Sequence, residues 1–496
     1  MTDALRPYQS NVIAEIEEAI AAGERRILLV APTGSGKTVV AAEIIKRARA
    51  RYQTTLFVAH RREIIMQTSG KLTANGVSHG IIMAGISPRP MESVQVASID
   101  TLHVRGVRSD AMRLPPADLL VFDEAHRARG RTREHLISLY PNAILIGMTA
   151  TPCRGDGRGL GNLFSKMIEC PQVAELIVGG FLVKSRVYAP IVPDLRGVRT
   201  EKGDYVVGQL QARMNTNALV GDLVRDWLKY GDRRRTVVFA VGVEHSVHIR
   251  NEFIAAGVRA EHLDGNTPIA EREAILARLK SGETELVSNC MVLTEGWDMP
   301  AVGCCILARP TKQMGLYRQM IGRVLRPDDG KPDAIIIDHS GAVYRHGLPE
   351  DHVEWTLDVD GRAVNPAHDH RKRSDDAKLH ECPQCHVLMS KPPCHHCGWM
   401  PQPRARAVDF EEGELGLVTN GKAQASPEEK QRWHHMLIGE ALRRGKRPGW
   451  AWYLFQDKFG HEPNRLWDRT ALTPTPEVSN YVQSRVIAYA RRKDAA

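Results

Sequence analysis

The segment from Arg26 to Arg49 constrains the fold more than any other part of the chain. An apolar, strand-like run leads into a turn at Gly34–Gly36, and Lys37-Thr38 then opens a stretch with helical periodicity. This order is typical of a phosphate-binding loop, because the glycines let backbone N–H groups curl around phosphate oxygens, and the new helix presents its positive end to the same anion. The strict pattern begins with Gly where this chain has Ala31, but the tight curl falls later, at the two glycines. The alternative, a glycine-rich turn without a ligand, is disfavoured by this context.

The residues of the loop predict a nucleotide site with a magnesium ion. Lys37 is expected to reach the β- and γ-phosphates, and the Thr38 hydroxyl to ligate Mg²⁺. Asp123-Glu124 ends a second apolar run, where two adjacent carboxylates are costly unless they hold a metal or act on water. Asp123 is therefore predicted to hold Mg²⁺ and Glu124 to act as the base for the attacking water, with a surface turn as the alternative. The loop residues expected to bind ATP are Thr33, Gly34, Ser35, Gly36, Lys37 and Thr38.

A short motif near the start, Arg6-Pro-Tyr-Gln9, precedes a helix. The Gln9 amide can both donate to and accept from the edge of an adenine ring, and Tyr8 offers a ring nearby. Arg6 and Gln9 are therefore candidate ATP-binding residues. A plain helix start is an equally good interpretation of the motif.

Strand-like runs alternate with helical segments over about the first 340 residues, which predicts an α/β fold with parallel sheets. The runs form two series, separated by a polar stretch rich in Pro and Gly at 190–204. Two tandem lobes of similar size are therefore expected, followed by charged linkers, a cysteine-rich segment and a helical end. The predicted domains are 1–190 (first lobe), 205–345 (second lobe), 346–379 (linker), 380–400 (cysteine-rich ribbon), 401–425 (linker) and 426–496 (helical domain).

The ordered motifs over about residues 3–340 resemble those of superfamily 2 helicases of the DEAD/DEAH-box type. Arg309-Pro-Thr, the segment 316–326 and the cysteine cluster that follows make the chain most similar to the RadD-like and phage-type DNA helicases with a zinc ribbon. The resemblance implies two RecA-like lobes, with ATP bound between them. The resemblance rests on the motifs at residues 6–9, 31–38, 59–61, 123–126 (Asp-Glu-Ala-His), 149–152, 294–296 and 319–326.

The resemblance also implies roles for residues outside the phosphate loop. Arg323 and Arg326 would reach across from the second lobe and stabilise charge on the transferring phosphoryl group, whereas a basic surface helix is the alternative. Gln319 would act with them in catalysis. Residues expected to couple nucleotide state to lobe movement are His126, Thr149, Thr151, Gly296 and Asp298. Residues expected to contact the sugar and phosphate groups of a strand are His60, Arg61, Ser98, Thr101, Gly265 and Thr294.

Four of the nine cysteines form two Cys-x-x-Cys pairs, Cys382/Cys385 and Cys394/Cys397, separated by eight residues. This spacing predicts a structural Zn²⁺ site in which four thiolates leave no open coordination position. Two disulfides, or a neighbouring histidine in place of one cysteine, are the alternatives. The ribbon is expected either to bind nucleic acid or a partner, or to act as a stabilising clip.

The end of the chain combines aromatic and basic residues. Five of the eight tryptophans lie from Trp399 onward, near the basic runs 443–447 and 491–493. Such a mixture suits stacking on unpaired bases, but a small helical domain with a tryptophan-rich core is the favoured interpretation. Asp375-Asp376 is read as linker charge rather than as a metal site.

Composition narrows the class of partner and the compartment. The formal charge of +9 favours a polyanionic partner, and no apolar run approaches the roughly 18 residues that span a bilayer. No secretion signal is apparent, and the scattered cysteines indicate a reducing compartment. A cytoplasmic protein, nucleoid-associated or phage-encoded and without a membrane partner, is expected.

These observations together predict an ATP- and Mg²⁺-dependent DNA helicase or translocase in repair, recombination or phage replication. Single-stranded or branched DNA is the expected track, with a single-strand-binding or repair protein as a further partner. An RNA-directed motor is one alternative, because backbone contacts distinguish the two nucleic acids only at the 2′-OH. A zinc-dependent nucleic-acid adaptor that uses ATP as a switch without unwinding is the other.

Overall fold

The chain forms two compact units, residues 1–402 and 403–496. The computed structural model describes residues 5–109, 111–127, 131–155, 157–190, 192–201, 203–294, 296–361, 363–366, 368–369, 379–401 and 425–494. Most of the linker expected at 401–425, and Asp375-Asp376, lie outside these ranges. No helix in the described part of the chain is both long enough and apolar enough to cross a membrane.

The first lobe is a seven-stranded parallel sheet with strand order β3-β4-β2-β5-β6-β1-β7. Its strands are almost wholly apolar and buried on both faces, as expected where helices cover a parallel sheet on both sides. The strands are β1 Arg26–Val30, β2 Thr55–Ala59, β3 Gly80–Ile82, β4 Val94–Ser98, β5 Leu119–Asp123, β6 Ile144–Thr149 and β7 Lys166–Glu169. The helices are α1 Pro7–Ala21, α2 Lys37–Ala50, α3 Arg62–Ala74, α4 Ile99–Leu102 and α5 Arg131–Ser138, with a π-helical turn at His103–Arg108 and a 3-10 turn at Ala125–Arg127. The next helix, α6 Val173–Val178, packs against the core of the second lobe.

The second lobe is a six-stranded parallel sheet with strand order β12-β13-β11-β14-β15-β8. Its strands are β8 Lys184–Tyr188, β11 Thr236–Phe239, β12 Ala260–Leu263, β13 Leu286–Asn289, β14 Cys304–Leu307 and β15 Asp333–Asp338, and a small hairpin is formed by β9 Thr200–Glu201 and β10 Asp204–Tyr205. Its helices are α7 Val207–Met214, α8 Asn217–Tyr230, α9 Val243–Ala255, α10 Ile269–Ser281, α11 Met314–Ile321 and α12 Ala342–His346. Both lobes therefore have the expected RecA-like architecture.

The boundary between the lobes lies earlier than the predicted residue 190. β8 pairs with β15 over five residues, from Lys184 to Tyr188, and forms the edge of the second sheet. Burial of Val187 and Tyr188 in the cores of the second lobe accounts for this pairing. The second lobe therefore begins before residue 184 in the chain, rather than at residue 205.

A segment that follows the second lobe, residues 353–361, returns to the first; we name it the return strap. Gly159 and Gly161 of the first lobe donate backbone hydrogen bonds to Asp358 and Leu357, at 3.0 and 2.6 Å. Trp355 and Leu357 pack against the apolar core of the first lobe. This part of the expected linker at 346–379 is therefore folded onto the first lobe.

The cysteine-rich ribbon packs against the second lobe. Its two short strands, β16 His380–Glu381 and β17 Leu388–Met389, are antiparallel. Between the two cysteine pairs, Val387 joins one apolar core of the lobe and Leu388 joins the other. The ribbon is therefore anchored through its own apolar residues.

The C-terminal unit contains three helices, α13 Pro427–Arg443, α14 Gly449–Phe459 and α15 Pro476–Asp494. Ser426 caps α13, since its hydroxyl accepts from the Glu429 N–H while the Glu429 carboxylate accepts from the Ser426 N–H. A compact apolar core joins the helices, and Trp433, Trp450 and Trp467 pack against it. For these three tryptophans the favoured interpretation, a tryptophan-rich core, is consistent with the structure.

Candidate active site

The phosphate loop has the backbone conformation that its sequence requires. Gly34 and Gly36 have φ values of +91° and +84°, a region that side chains with a Cβ rarely adopt. The Lys37 ammonium donates to the Ala31 carbonyl at 3.0 Å, which holds it across the turn. Burial lowers the pKa of Lys37, and the nearby carboxylates of Glu124 and Asp123 oppose that shift. The loop thus places a half-buried cation where phosphate oxygens would bind.

The motif at residues 6–9 stabilises this loop through hydrogen bonds. The Tyr8 hydroxyl and the Gln9 amide both donate to the Ser35 carbonyl, at 2.6 and 3.0 Å. The Gln9 carbonyl oxygen accepts from the Arg6 N–H at 3.0 Å. Gln9 is buried, so in this conformation its amide is used within the protein rather than offered to an adenine ring. Arg6 does line the cleft, as expected of a nucleotide contact.

A polar chain links the Asp-Glu-Ala-His motif to the end of β6. The buried Glu124 has a φ of +50°, a strained value for a residue other than glycine. Its carboxylate lies 3.3 Å from His126 Nδ1, which lies 3.0 Å from the Thr149 hydroxyl. That hydroxyl donates to the Thr151 carbonyl at 2.9 Å. The residues predicted for metal binding, water activation and coupling are therefore contiguous.

Residues of the second lobe close over this site. The Gln319 amide lies 3.5 Å from the Glu124 carboxylate. Arg323 is held inside its own lobe, because it donates to the carbonyls of Thr294 at 3.0 Å and Trp297 at 2.6 Å. Arg326 instead forms an ion pair with Asp298, and its side chain lies beside Gly34. Burial lowers the pKa of Arg326 to about 10, so it stays charged near neutral pH.

Both lobes line one cleft of roughly 280 Å³. It brings together residues predicted for phosphate binding, metal binding, catalysis and coupling, which the sequence separates by up to about 320 positions. Those predicted residues that line it are Arg6, Thr33, Gly34, Gly36, Lys37, Thr38, Asp123, Glu124, Gly296, Asp298, Arg323 and Arg326.

Gly322 of the second lobe lies close against Thr33 of the first. A Cβ at this position would lie 2.4 Å from the Thr33 Cβ, although the φ of −63° would itself tolerate alanine. We expect Gly322→Ala to reduce ATP turnover about tenfold or more, because overpacking a close contact costs about 1–3 kcal/mol. Steady-state ATPase assays would measure this effect.

The matched control is Gly221→Ala in α8, where a Cβ would meet no atom within 4 Å. It should retain full turnover, with a melting temperature that is unchanged or slightly raised because alanine favours a helix interior over glycine. Equal activity in the two variants would show that contact between Gly322 and Thr33 is not needed for hydrolysis.

The residues predicted to contact a strand divide into two groups. His60, Ser98 and Thr101 lie at or just beyond the carboxyl ends of β2 and β4, and Gly265 is exposed just beyond β12. Arg61 instead crosses the cleft and donates to the carbonyls of Val292 and Met291 in the second lobe, at 2.8 and 3.1 Å. Thr294 is 1% exposed, and its hydroxyl donates to the Met291 carbonyl at 3.0 Å.

Of the expected strand contacts, Ser98, Thr101 and Thr294 are thus buried, whereas His60 is half-buried and Gly265 is exposed. Closure of the lobes gives the Arg61 guanidinium its backbone partners, and the Thr294 hydroxyl is used within the second lobe. The π-helical turn His103–Arg108, directly after α4, was not predicted and carries the exposed Arg105 and Arg108. The basic residues spaced through 103–113 are the sequence feature from which this basic turn could have been predicted.

The four cysteines of the ribbon form a compact cluster. Cys382 and Cys397 have sulfurs 3.6 Å apart, Cys385 and Cys394 have sulfurs 3.7 Å apart, and all four lie within 4.8 Å of one another. A disulfide bond would need about 2.05 Å, whereas sulfurs around a tetrahedral zinc lie about 3.8 Å apart. Within the described ranges no histidine joins the cluster. The geometry fits a four-thiolate metal site.

Comparisons with known proteins agree with the fold and indicate the family. The family described as "Type III restriction enzyme, res subunit" matches residues 2–154, and "Helicase conserved C-terminal domain" matches residues 218–328. A "51.5 kDa protein" of a Lactococcus phage is 30% identical, over 75% of this chain and 77% of its own length. The "Putative ATP-dependent helicase IRC3" of Saccharomyces cerevisiae is also 30% identical, over 68% of this chain, which spans 52% of that protein.

A solved structure shares the architecture. The fragment structure of "a putative HsdR subunit of a type I restriction enzyme" from Vibrio vulnificus superposes with a TM-score of 0.55 at 25% identity. The match covers 72% of this chain and 70% of that fragment. With the ordered motifs and the two RecA-like lobes, these matches show that the chain belongs to the superfamily 2 helicases, as an ATP hydrolase of that family.

Proposed function

We propose that this protein is a DNA-stimulated ATPase motor that hydrolyses ATP in the cleft between its lobes and moves along a strand. One observation carries the proposal: Arg326 and Gln319 of the second lobe lie beside Gly34 and Glu124 of the first. Hydrolysis at such a site requires the lobes to be closed. A cycle of closing and opening is then what converts hydrolysis into movement.

In the proposed mechanism each lobe supplies different chemistry. Backbone N–H groups of the loop and the Lys37 ammonium bind the β- and γ-phosphates, while Thr38 and Asp123 would hold Mg²⁺. A magnesium ion held there would supply positive charge that offsets the charge of the phosphates. Glu124 accepts a proton from the attacking water, and Arg326 stabilises the charge that develops on the γ-phosphoryl group.

The coupling residues connect this chemistry to lobe movement. The chain from Glu124 through His126 and Thr149 to Thr151 ends where Thr151 meets α11 of the second lobe, since a Cβ at Gly315 would lie 2.9 Å from the Thr151 hydroxyl oxygen. A change in the charge around Glu124 would therefore alter the contact between Thr151 and α11 of the second lobe.

The proposed DNA track follows the carboxyl ends of the strands. His60, Ser98, Thr101 and Gly265 lie there, where the half-buried His60 and the exposed Gly265 offer backbone groups, and the turn at His103–Arg108 adds positive charge. The likeness to restriction-enzyme subunits supports DNA over RNA as the track. Action in repair, recombination or phage replication, with a single-strand-binding or repair protein as partner, remains our prediction. A cytoplasmic location likewise remains our prediction.

The test is the ATPase rate with single-stranded, duplex and forked DNA and with RNA, followed by strand displacement on the best activator. We expect DNA to stimulate hydrolysis strongly, and more than RNA does. RNA as the stronger activator would assign an RNA-directed motor. Stimulation without displacement or translocation would favour an adaptor that uses ATP as a switch.

The double variant Arg105→Ala/Arg108→Ala tests the proposed track. It should raise the DNA concentration needed for half-maximal stimulation and leave the rate at saturating DNA unchanged. Lys46→Ala, which removes an exposed charge from α2, is the matched control. If the two variants behave alike, the π-helical turn is not part of the track.

We also propose that the ribbon holds one structural Zn²⁺ and serves as a clip on the second lobe. The sulfur separations support the metal, and burial of Val387 and Leu388 in the two cores of the lobe supports the clip. Binding of the metal would order the turns that present these two side chains.

Loss of the metal should therefore destabilise the second lobe. We expect Cys394→Ser to lower zinc content below one ion per chain and to lower the melting temperature by about 5 °C or more. Elemental analysis and thermal unfolding would measure both. Cys290→Ser, outside the cluster, is the matched control. Unchanged zinc content and melting temperature in Cys394→Ser would refute the proposed site.

A further inference from the structure

The C-terminal unit contains a pocket that the proposed motor mechanism does not use. Its volume is roughly 400 Å³, and it lies between α13, the start of α14 and the loop that follows α14. Aromatic, basic and apolar side chains meet in it. Those on which the argument rests are His434, Ile438, Trp452, Arg465, Trp467 and Arg469.

His434 lines this pocket and carries a buried polar atom without a partner. The residue is 6% exposed, and its Nδ1 is buried without a hydrogen-bond partner. Its ring packs edge-on to Phe455, with centroids 5.6 Å apart, and lies 6.1 Å from the ring of Trp467. A buried nitrogen without a partner is destabilising, and a ligand with a hydrogen-bonding edge would relieve that cost.

Trp452 differs from its neighbours on the same helix. Trp450 and Phe455 pack with the core of the unit, whereas Trp452 is half-buried, outside that core, and lines the pocket. Packing of the helices therefore does not explain Trp452. A large ring in a pocket wall offers a face on which a planar ligand can stack.

The charge of the pocket selects an anionic ligand. Arg465 and Arg469 lie on its rim, and the nearest carboxylate to Arg465 is that of Glu462, at a loose 3.8 Å. Residues 426–496 contain thirteen Lys and Arg residues against eight Asp and Glu residues. A planar ring with hydrogen-bonding edges that is joined to phosphate meets all three requirements.

We propose that this pocket binds an unpaired nucleotide of single-stranded DNA, with its base stacked on Trp452 and hydrogen-bonded to His434 Nδ1. Arg465 and Arg469 neutralise the phosphates on either side of that nucleotide. The proposal rests on the proposed function in one respect, because the strand is taken to be the track of the motor. The pocket is then a second contact with that strand, outside the two lobes.

The test measures binding of the full-length protein to a fluorescent oligothymidylate without ATP. Trp452→Ala should raise the dissociation constant about tenfold, the effect of losing one stacked base. Trp452→Phe keeps an aromatic face and should restore most of the affinity, which separates stacking from a folding defect. Tyr453→Ala is the matched control, because Tyr453 is 73% exposed on the same helix and does not line the pocket.

Two further measurements make the assignment specific. Arg469→Ala should lower the slope of log affinity against log salt concentration by about one. An oligonucleotide that carries 5-iododeoxyuridine should cross-link to the peptide containing Trp452. The proposal would be overturned if Trp452→Ala kept its affinity for the oligothymidylate and no such cross-link formed. It would also be overturned if the full-length protein bound an acidic peptide at this pocket instead of DNA.

The same variants separate this inference from the proposed function. If Trp452→Ala binds DNA as tightly as the unaltered protein and its ATP hydrolysis is still stimulated by DNA, the proposed nucleotide pocket is wrong and the proposed motor function stands. If Trp452→Ala loses affinity for DNA, but DNA does not stimulate ATP hydrolysis by the unaltered protein, the proposed pocket stands and the proposed motor function is wrong.

Discussion

Replacement of Glu124 by glutamine is expected to lower DNA-stimulated ATP hydrolysis by about 10²–10⁴-fold, the usual contribution of a general base. Glutamine keeps the shape of the side chain and can still accept from Gln319 and His126, which lie 3.5 and 3.3 Å from the carboxylate. It cannot take a proton from water. ATP binding, which depends on the loop and on Lys37, should persist in this variant.

Steady-state turnover at saturating DNA measures the loss, and titration with a fluorescent ATP analogue measures binding. Glu43→Gln is the matched control, because Glu43 pairs with Lys46 and Arg47 on α2, away from the cleft. Lys37→Ala should abolish turnover as well, but through lost phosphate binding. Wild-type turnover in either Glu124→Gln or Lys37→Ala would place the active site elsewhere.

Arg326→Ala should reduce turnover by about 10³-fold or more, the range found when an arginine finger is removed. The structure supports this size of effect, because the half-buried side chain lies beside Gly34 and brings its charge from the opposite lobe. ATP affinity should change little, since the loop lies wholly in the first lobe. Arg326→Lys should not restore activity, because an ammonium cannot reproduce the planar fork.

Arg323→Ala provides the comparison, since the two arginines have different partners. Arg323 donates to two carbonyls of its own lobe, so its loss should also lower the melting temperature. Arg326 pairs with the half-exposed Asp298, and its loss should leave thermal stability nearly unchanged. If Arg326→Ala loses ATP binding and stability together, its role is structural rather than catalytic.

The motifs could be predicted because each depends on local chemistry. Glycines at Gly34 and Gly36, carboxylates at the end of β5 and paired cysteines indicate their function through residue type and short spacing. The same holds for the two series of strands, whose apolar runs are continuous because both faces of each sheet are covered.

Contacts between distant segments could not be predicted in this way. The membership of β8 in the second sheet depends on its pairing with β15, about 150 residues later. Arg61 was expected to touch a strand, but closure of the lobes gives its guanidinium two carbonyls instead. Gln9 was expected to meet adenine, yet its amide satisfies the phosphate loop. In each case the competing partner comes from elsewhere in the fold.

The return strap determines how the cleft can open. Gln172, in the connection that leaves the first lobe, exchanges two hydrogen bonds with Val353 of the strap, at 2.7 and 2.9 Å. The outgoing and returning crossings are thus joined to each other, on the side where β7 and β8 form the sheet edges. We therefore expect the two crossings to serve together as one hinge when the lobes separate. The hydrogen bonds from Arg61 to Met291 and Val292 would have to break in that movement, whereas those between Gln172 and Val353 could persist.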